Sequence, residues 1–132
     1  MAWTVVYLDN YTKWFEEQEE GLQDDIIAYL DLLEELGPTL GRPYADTLSG
    51  SSLTNLKELR LTEGRSEIRI LFVFDPKQQA VLILGGDKTG DKRWYKTNIP
   101  IAESLYSMHL ENQKKEDDEA KRKEQDKKKR KG

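Results

Sequence analysis

Apolar and polar residues alternate along this chain with two different periods, and the change of period divides it. Trp3-Thr4-Val5-Val6-Tyr7-Leu8 is rich in β-branched and aromatic residues and predicts a strand, ended by Asp9-Asn10. Asn10 is an N-cap candidate for a helix from Tyr11 to about Glu20, which Gly21 interrupts. Leu22, Ile26, Ile27, Leu30 and Leu33 then fall at helical spacing and predict a second helix from Leu22 to Leu36. Gly37-Pro38 stops it, since glycine tolerates the left-handed C-cap and proline cannot continue the ladder.

Residues 37–55 read as loop, and beyond them the period becomes two. Lys57-Glu58-Leu59-Arg60-Leu61 alternates as a half-buried strand does. Ile68 to Phe74 is apolar on both faces except for Arg69, and Ala80 to Leu84 is a third apolar run. The turns between them are Thr62–Ser66 and Asp75-Pro76-Lys77-Gln78, the latter with proline where a type I turn favours it. Pro100 suits the first turn of a last helix, with Ile101, Leu105 and Met108 along one side. From Glu111 to Gly132 only Ala120 is apolar, so this segment cannot bury enough surface to fold alone. The expected fold is α+β: an N-terminal strand and helical hairpin packed on an antiparallel sheet of about four strands, then a C-terminal helix. Residues 1–110 form the domain, and 111–132 form a charged, lysine-rich tail, expected to be a frayed helix or disordered.

Composition narrows the chemistry. The 132 residues include no cysteine and one histidine, which removes disulfides, thiolate nucleophiles, Cys-ligated metals and His-rich metal sites. No metal or other cofactor is expected. No apolar run approaches the roughly 20 residues that span a bilayer, and Met1-Ala2-Trp3-Thr4 does not begin like a secretory signal, so a soluble cytoplasmic protein is expected. The net charge of −4 conceals a division. Residues 1–35 carry −9, residues 36–112 carry +1, and residues 113–132 carry +4.

Most of the basic residues of the folded part belong to the sheet and its exit loop: Lys57, Arg60, Arg65, Arg69, Lys88, Lys92, Arg93 and Lys96, with Trp94 and Tyr95 interleaved. A buried unpaired charge costs several kcal/mol, so Arg69 must be paired or face a wet groove. Arg60, Arg69 and the lysines of the loop can converge on a phosphate. The plainer alternative is an ion pair between Arg69 and Glu58. Trp94 and Tyr95 among lysines suit stacking on an unpaired base, although Trp94 can equally pack beneath the sheet. Gly85-Gly86-Asp87-Lys88-Thr89-Gly90 lacks the order of a phosphate-binding P-loop. His109 has Ala102 and Tyr106 on its helix face, which favours packing over catalysis.

Glu58-Leu59-Arg60, Ile68 to Phe74, Leu84-Gly85-Gly86-Asp87-Lys88 and Ile99-Pro100-Ile101-Ala102, with Tyr106 and His109-Leu110, resemble the RelE/ParE toxin superfamily, in particular its phage-derived, HigB-like branch. The similarity covers roughly residues 2–110. It implies a small microbial ribonuclease fold, a helix-turn-helix antitoxin as partner, and metal-independent cleavage of mRNA on the ribosome by 2′-hydroxyl attack. Carried over by position, Arg60 matches the basic residue of the second strand and Arg69 the arginine taken to hold the scissile phosphate. Lys88 and Arg93 fall in the basic segment after the fourth strand, with Lys92 interchangeable, and Tyr95 sits where many members place a functional tyrosine. Glu58 stands where RelE-like relatives carry a second lysine, and Lys57, displaced by one residue, should point to the opposite face. Glu58 is then a candidate general base and Tyr95 or His109 the acid, while Lys57, Lys92, Trp94 and Lys96 are RNA-binding candidates. A ParE-like gyrase inhibitor and a non-catalytic binding module of the same fold are the alternatives, the latter motivated by the acidic hairpin. The tail's lysines would add salt-dependent affinity for RNA or ribosomes.

Overall fold

The computed structural model describes residues 2–53 and 55–131. Strand β1 (Thr4–Tyr7) leads into helix α1 (Asp9–Glu16) and helix α2 (Glu20–Leu36). A single 3-10 turn (Gly37–Thr39) precedes strands β2 (Ala45–Thr47), β3 (Leu56–Glu63), β4 (Ser66–Asp75) and β5 (Gln79–Asp87), and helix α3 (Trp94–Lys131) ends the chain. The five strands form one sheet in the order β1-β5-β4-β3-β2. β1 runs parallel to β5, and the other neighbours are antiparallel.

The sheet separates two cores. The hairpin of α1 and α2 covers one face, where Tyr11, Ile26, Leu33, Leu59, Ile70, Phe72 and Leu82 pack together. α3 covers the other, where Leu56, Leu71, Val81 and Ile83 meet Trp94, Ile99, Ala102 and Tyr106. A bulge shifts the β4–β5 register between Leu71 and Phe72, so that Leu71 faces Leu84 while Phe72 faces Leu82. Ile83 and Leu84 consequently both join the core beneath α3.

Several boundaries differ from the sequence expectation. Asn10 lies inside α1; Leu8 occupies the cap position without a side-chain hydrogen bond. The break between α1 and α2 falls before Gly21, which belongs to the first turn of α2. The segment 37–55 contains β2, a three-residue strand too short for any periodic signal, which makes five strands rather than four. Gly85 and Gly86 belong to β5, not to a loop after it. A side chain at Gly85 would run into the Trp14 ring from α1, and one at Gly86 into the Trp94 ring from α3. These glycines admit two tryptophans, one on each face of the sheet.

The last helix starts six residues before Pro100. Asp91 draws it back: its Oδ1 accepts from the Arg93 amide at 2.9 Å, and its carbonyl from the Trp94 amide at 3.3 Å. Pro100 is therefore internal to α3. The Asn98 Nδ2 donates to the Trp94 carbonyl at 2.8 Å, supplying a side-chain partner near the helix start. Past Leu110 the same helix carries the charged segment to Lys131. Lys77 Nζ reaches Asp117 Oδ2 at 3.2 Å and ties that extension to the β4–β5 turn.

Candidate active site

β3 and β4 bring two arginines face to face, since Arg60 is directly opposite Arg69 in the antiparallel register. Like charges so placed repel. The conflict is resolved by Glu58, two residues before Arg60 and therefore on the same face of β3. Glu58 Oε2 lies 3.0 Å from Arg60 Nη1 and Oε1 lies 3.3 Å from Arg69 Nε. Tyr95, in the first turn of α3, completes the group: its hydroxyl donates to Glu58 Oε1 at 2.6 Å and accepts from Arg69 Nε at 3.3 Å.

Burial in this group is graded. The Glu58 and Arg69 side chains are 3% and 5% exposed, whereas Arg60 is 31% exposed. Arg69 is the most committed, because Nη1 also donates to the Ile68 carbonyl at 2.9 Å and Nη2 lies 4.0 Å from Glu67 Oε1. Arg60 is bonded to Glu58 from a half-open position. Burial, reinforced by the Glu58 carboxylate and opposed by Arg69, raises the Tyr95 pKa above the ordinary tyrosine value. Its hydroxyl is thus protonated, and a proton donor, at neutral pH.

Lys88 lies just beyond β5. Its Nζ is 3.3 Å from Glu67 Oε2 and 5.8 Å from the centre of the Tyr95 ring, at the rim of the same group. The arginines open into a cleft of about 430 Å³ lined by Tyr29, Arg42, Pro43, Arg60, Thr62, Glu67 and Arg69. Arg42, not singled out by sequence, arrives there through the turn before β2. Asp46 holds its guanidinium, accepting from Nε at 3.0 Å and from Nη2 at 2.6 Å. The same bond holds the Asp46 carboxyl below its usual range. A glycine-arginine-proline loop gives no periodic signal, so only the placement of β2 could have found Arg42.

The other sequence candidates are dispersed. Trp94 is 5% exposed and packs beneath the sheet against Gly86, so it offers no face to a base. Lys57 points to the hairpin side, as its alternation with Glu58 predicts, and Nζ donates to Thr47 Oγ1 at 2.9 Å. Lys92, Arg93 and Lys96 are exposed around the start of α3. His109 is fourteen residues beyond Tyr95, about 21 Å along the helix axis. It lies instead beside Tyr7, Leu8, Asn10 and Met108, stacked on Tyr106 at 6.2 Å, and does not join the Glu58 group.

The sheet with its helical hairpin and C-terminal helix has the fold of solved RelE structures. The isolated Escherichia coli RelE toxin superposes with a TM-score of 0.53 over 76% of this chain and 99% of that one, at 12% identity. The Mycobacterium tuberculosis RelBE2 toxin–antitoxin complex gives 0.52 over 66% and 99%, at 11% identity. These likenesses concern the fold. In sequence, residues 13–107 match the family model described as phage derived protein Gp49-like. Two M. tuberculosis (strain ATCC 25618 / H37Rv) proteins named as toxins are similar to the chain. HigB3 is 48% identical over 100 residues, covering 75% of this chain and 86% of HigB3. HigB2 is 38% identical over 112 residues, covering 83% of this chain and 55% of HigB2. The chain belongs to the Gp49-like family, within the HigB-like branch of the RelE/ParE toxin–antitoxin superfamily.

Proposed function

We propose that the protein is the toxin of a type II toxin–antitoxin pair and acts as an endoribonuclease on mRNA at the ribosome, with a helix-turn-helix antitoxin as its partner. Residues 1–110 are the toxin domain. The segment from 111 onward is an appended charged helix that adds salt-dependent affinity for RNA. The observation that carries this reading is one nearly buried carboxylate, Glu58, shared by a protonated phenol and by two guanidiniums that line a cleft.

That group holds the parts for cleavage by the RNA's own 2′-hydroxyl. The 2′-oxygen attacks the adjacent phosphorus, the bond to the 5′-oxygen breaks, and one proton leaves as another arrives. Arg60 can exchange Glu58 for the scissile phosphate, because guanidinium pairs with phosphate oxygens as readily as with carboxylate. That exchange uncovers Oε2 of Glu58 to take the 2′-hydroxyl proton. Tyr95 gives its proton to the departing 5′-oxygen. Arg69, fixed by Glu58, Ile68 and Tyr95, supplies a preorganised positive charge for the phosphorane, worth about two to three powers of ten in rate. Lys88 adds positive potential at the rim, and Arg93 adds it more distantly from the exposed start of α3. In-frame 5′ ends within coding regions, mapped after induction of the protein alone, are the expected result. Intact mRNA with inhibited gyrase supercoiling would replace this reading with a ParE-like one. The closed ion pairing of Glu58 favours a non-catalytic binding module as the second reading, and harmless high-level expression without antitoxin would support it.

A further inference from the structure

Tyr29 and Arg42 take no part in the Glu58 group, yet both line its cleft. Tyr29 projects from α2 at the side of the cleft away from α3. Its half-buried ring is braced edge-on by Tyr44, with centroids 5.5 Å apart and planes at 75°. Pro43 adds a second flat, apolar surface to the lining. Arg42 is 72% exposed, and an ion pair that exposed is weak enough to be exchanged for another anion. The cleft therefore has the Arg60 and Arg69 guanidiniums and the Glu67 carboxylate in its lining, an aromatic ring at its side and a third guanidinium, from Arg42, in its most exposed part.

An RNA strand offers the complementary series: a phosphate, a base with an apolar face, and the next phosphate. We propose that Tyr29 is a stacking platform for the base of the nucleotide adjoining the scissile phosphate, with Arg42 holding the following phosphate. This rests on the cleft being the RNA site. It assigns the stacking contact to α2, from an element whose outer face is acidic and which the charge pattern would exclude from RNA contact. Acidic side chains around the platform would disfavour a second strand lying across it, so a single unpaired strand threading the cleft is the occupant.

Affinity for a non-cleavable RNA separates this subsite from catalysis. The full chain is titrated by NMR with a 2′-O-methyl RNA trinucleotide and with an abasic trinucleotide bearing the same phosphates. The unaltered protein should prefer the base-bearing probe at least about fivefold, the lower end of what one stacked base contributes. Tyr29→Leu, which keeps apolar packing but lacks a flat face, should erase that preference, and Tyr29→Phe should retain it. Arg42→Gln should weaken both probes alike and lower the salt slope by about one. Equal affinity for the two probes, no binding of either, or a preference that survives Tyr29→Leu would each overturn the subsite. A preference lost in Tyr29→Leu while cellular mRNA stays intact would leave the subsite standing and overturn the nuclease reading alone.

Discussion

The two faces of the sheet follow opposite rules. Toward the hairpin, β3 and β4 present Leu59, Leu61, Ile68, Ile70 and Phe72, all buried. Toward α3 the same strands present Leu56, Leu71 and Val73, and then Glu58, Arg60 and Arg69. On the hairpin face β3 and β4 bury only apolar side chains. The α3 face gives up part of that gain to keep a carboxylate and a guanidinium out of water, which is tolerable only because each has bonded partners. Burial that hydrophobic residues of the same volume would achieve at lower cost points to a role other than stability.

Breaking the charged pair tests that difference most strongly. Glu58→Ala leaves the buried Arg69 without its main carboxylate and should cost about 3–5 kcal/mol in urea unfolding, whereas Arg69→Ala leaves Glu58 its bond to Arg60 and should cost less. The double variant Glu58→Leu/Arg69→Met should recover most of that stability, or exceed it, while remaining inactive. If the double variant is as unstable as Glu58→Ala, the pair is a structural requirement and the contrast between the faces collapses. Next in size are the glycines that seat the tryptophans. Gly86→Ala forces Trp94 away from the sheet and should cost about 1–3 kcal/mol, as Gly85→Ala should on the Trp14 side. Equal losses in thermal unfolding would show both faces packed to the same tightness.

Sequence made the hairpin face legible, because Leu22, Ile26, Leu30 and Leu33 repeat at helical spacing and β3 alternates. It also identified Arg69 as anomalous and offered Glu58 as its partner, since one arginine in an apolar strand admits few explanations. What periodicity could not show was convergence. Tyr95 reaches Glu58 only because Asp91 starts α3 early and Gly86 lets Trp94 lie flat beneath the sheet. Arg42 reaches the cleft through a strand of three residues, and His109 is separated from it by four turns of helix. Trp94 and Tyr95, adjacent and chemically alike in sequence, point to different environments because neighbouring helix positions diverge by about 100°.

A smaller effect concerns pH. Tyr95 and Tyr11 both have pKa values raised above 10, chiefly by burial. A neutral form favoured by folding stabilises fully below the unfolded value near 10, and that stabilisation is lost as pH rises through the folded value. Stability should therefore be flat with respect to these tyrosines up to about pH 10 and fall above it. In Tyr95→Phe the alkaline fall should be shallower, as read from unfolding midpoints between neutral pH and pH 11. The smallest expected change in stability is removal of the helix beyond Leu110, whose side chains are almost all exposed. Unfolding of the truncated domain should match the full chain to within about 0.5 kcal/mol. Its RNA affinity should lose part of its salt dependence, and an unchanged salt slope would reduce the extension to a solubility feature.

The most direct test of the central claim substitutes Glu58→Gln, which keeps the shape of the side chain and removes the base. Protein levels and folding are matched to the unaltered chain, the protein is induced without antitoxin, and in-frame 5′ ends of cellular mRNA are counted. A fall of about a hundredfold or more in such ends is expected if the carboxylate takes the 2′-hydroxyl proton. Cuts persisting at the native level would contradict it and leave Glu58 as a brace for the arginines.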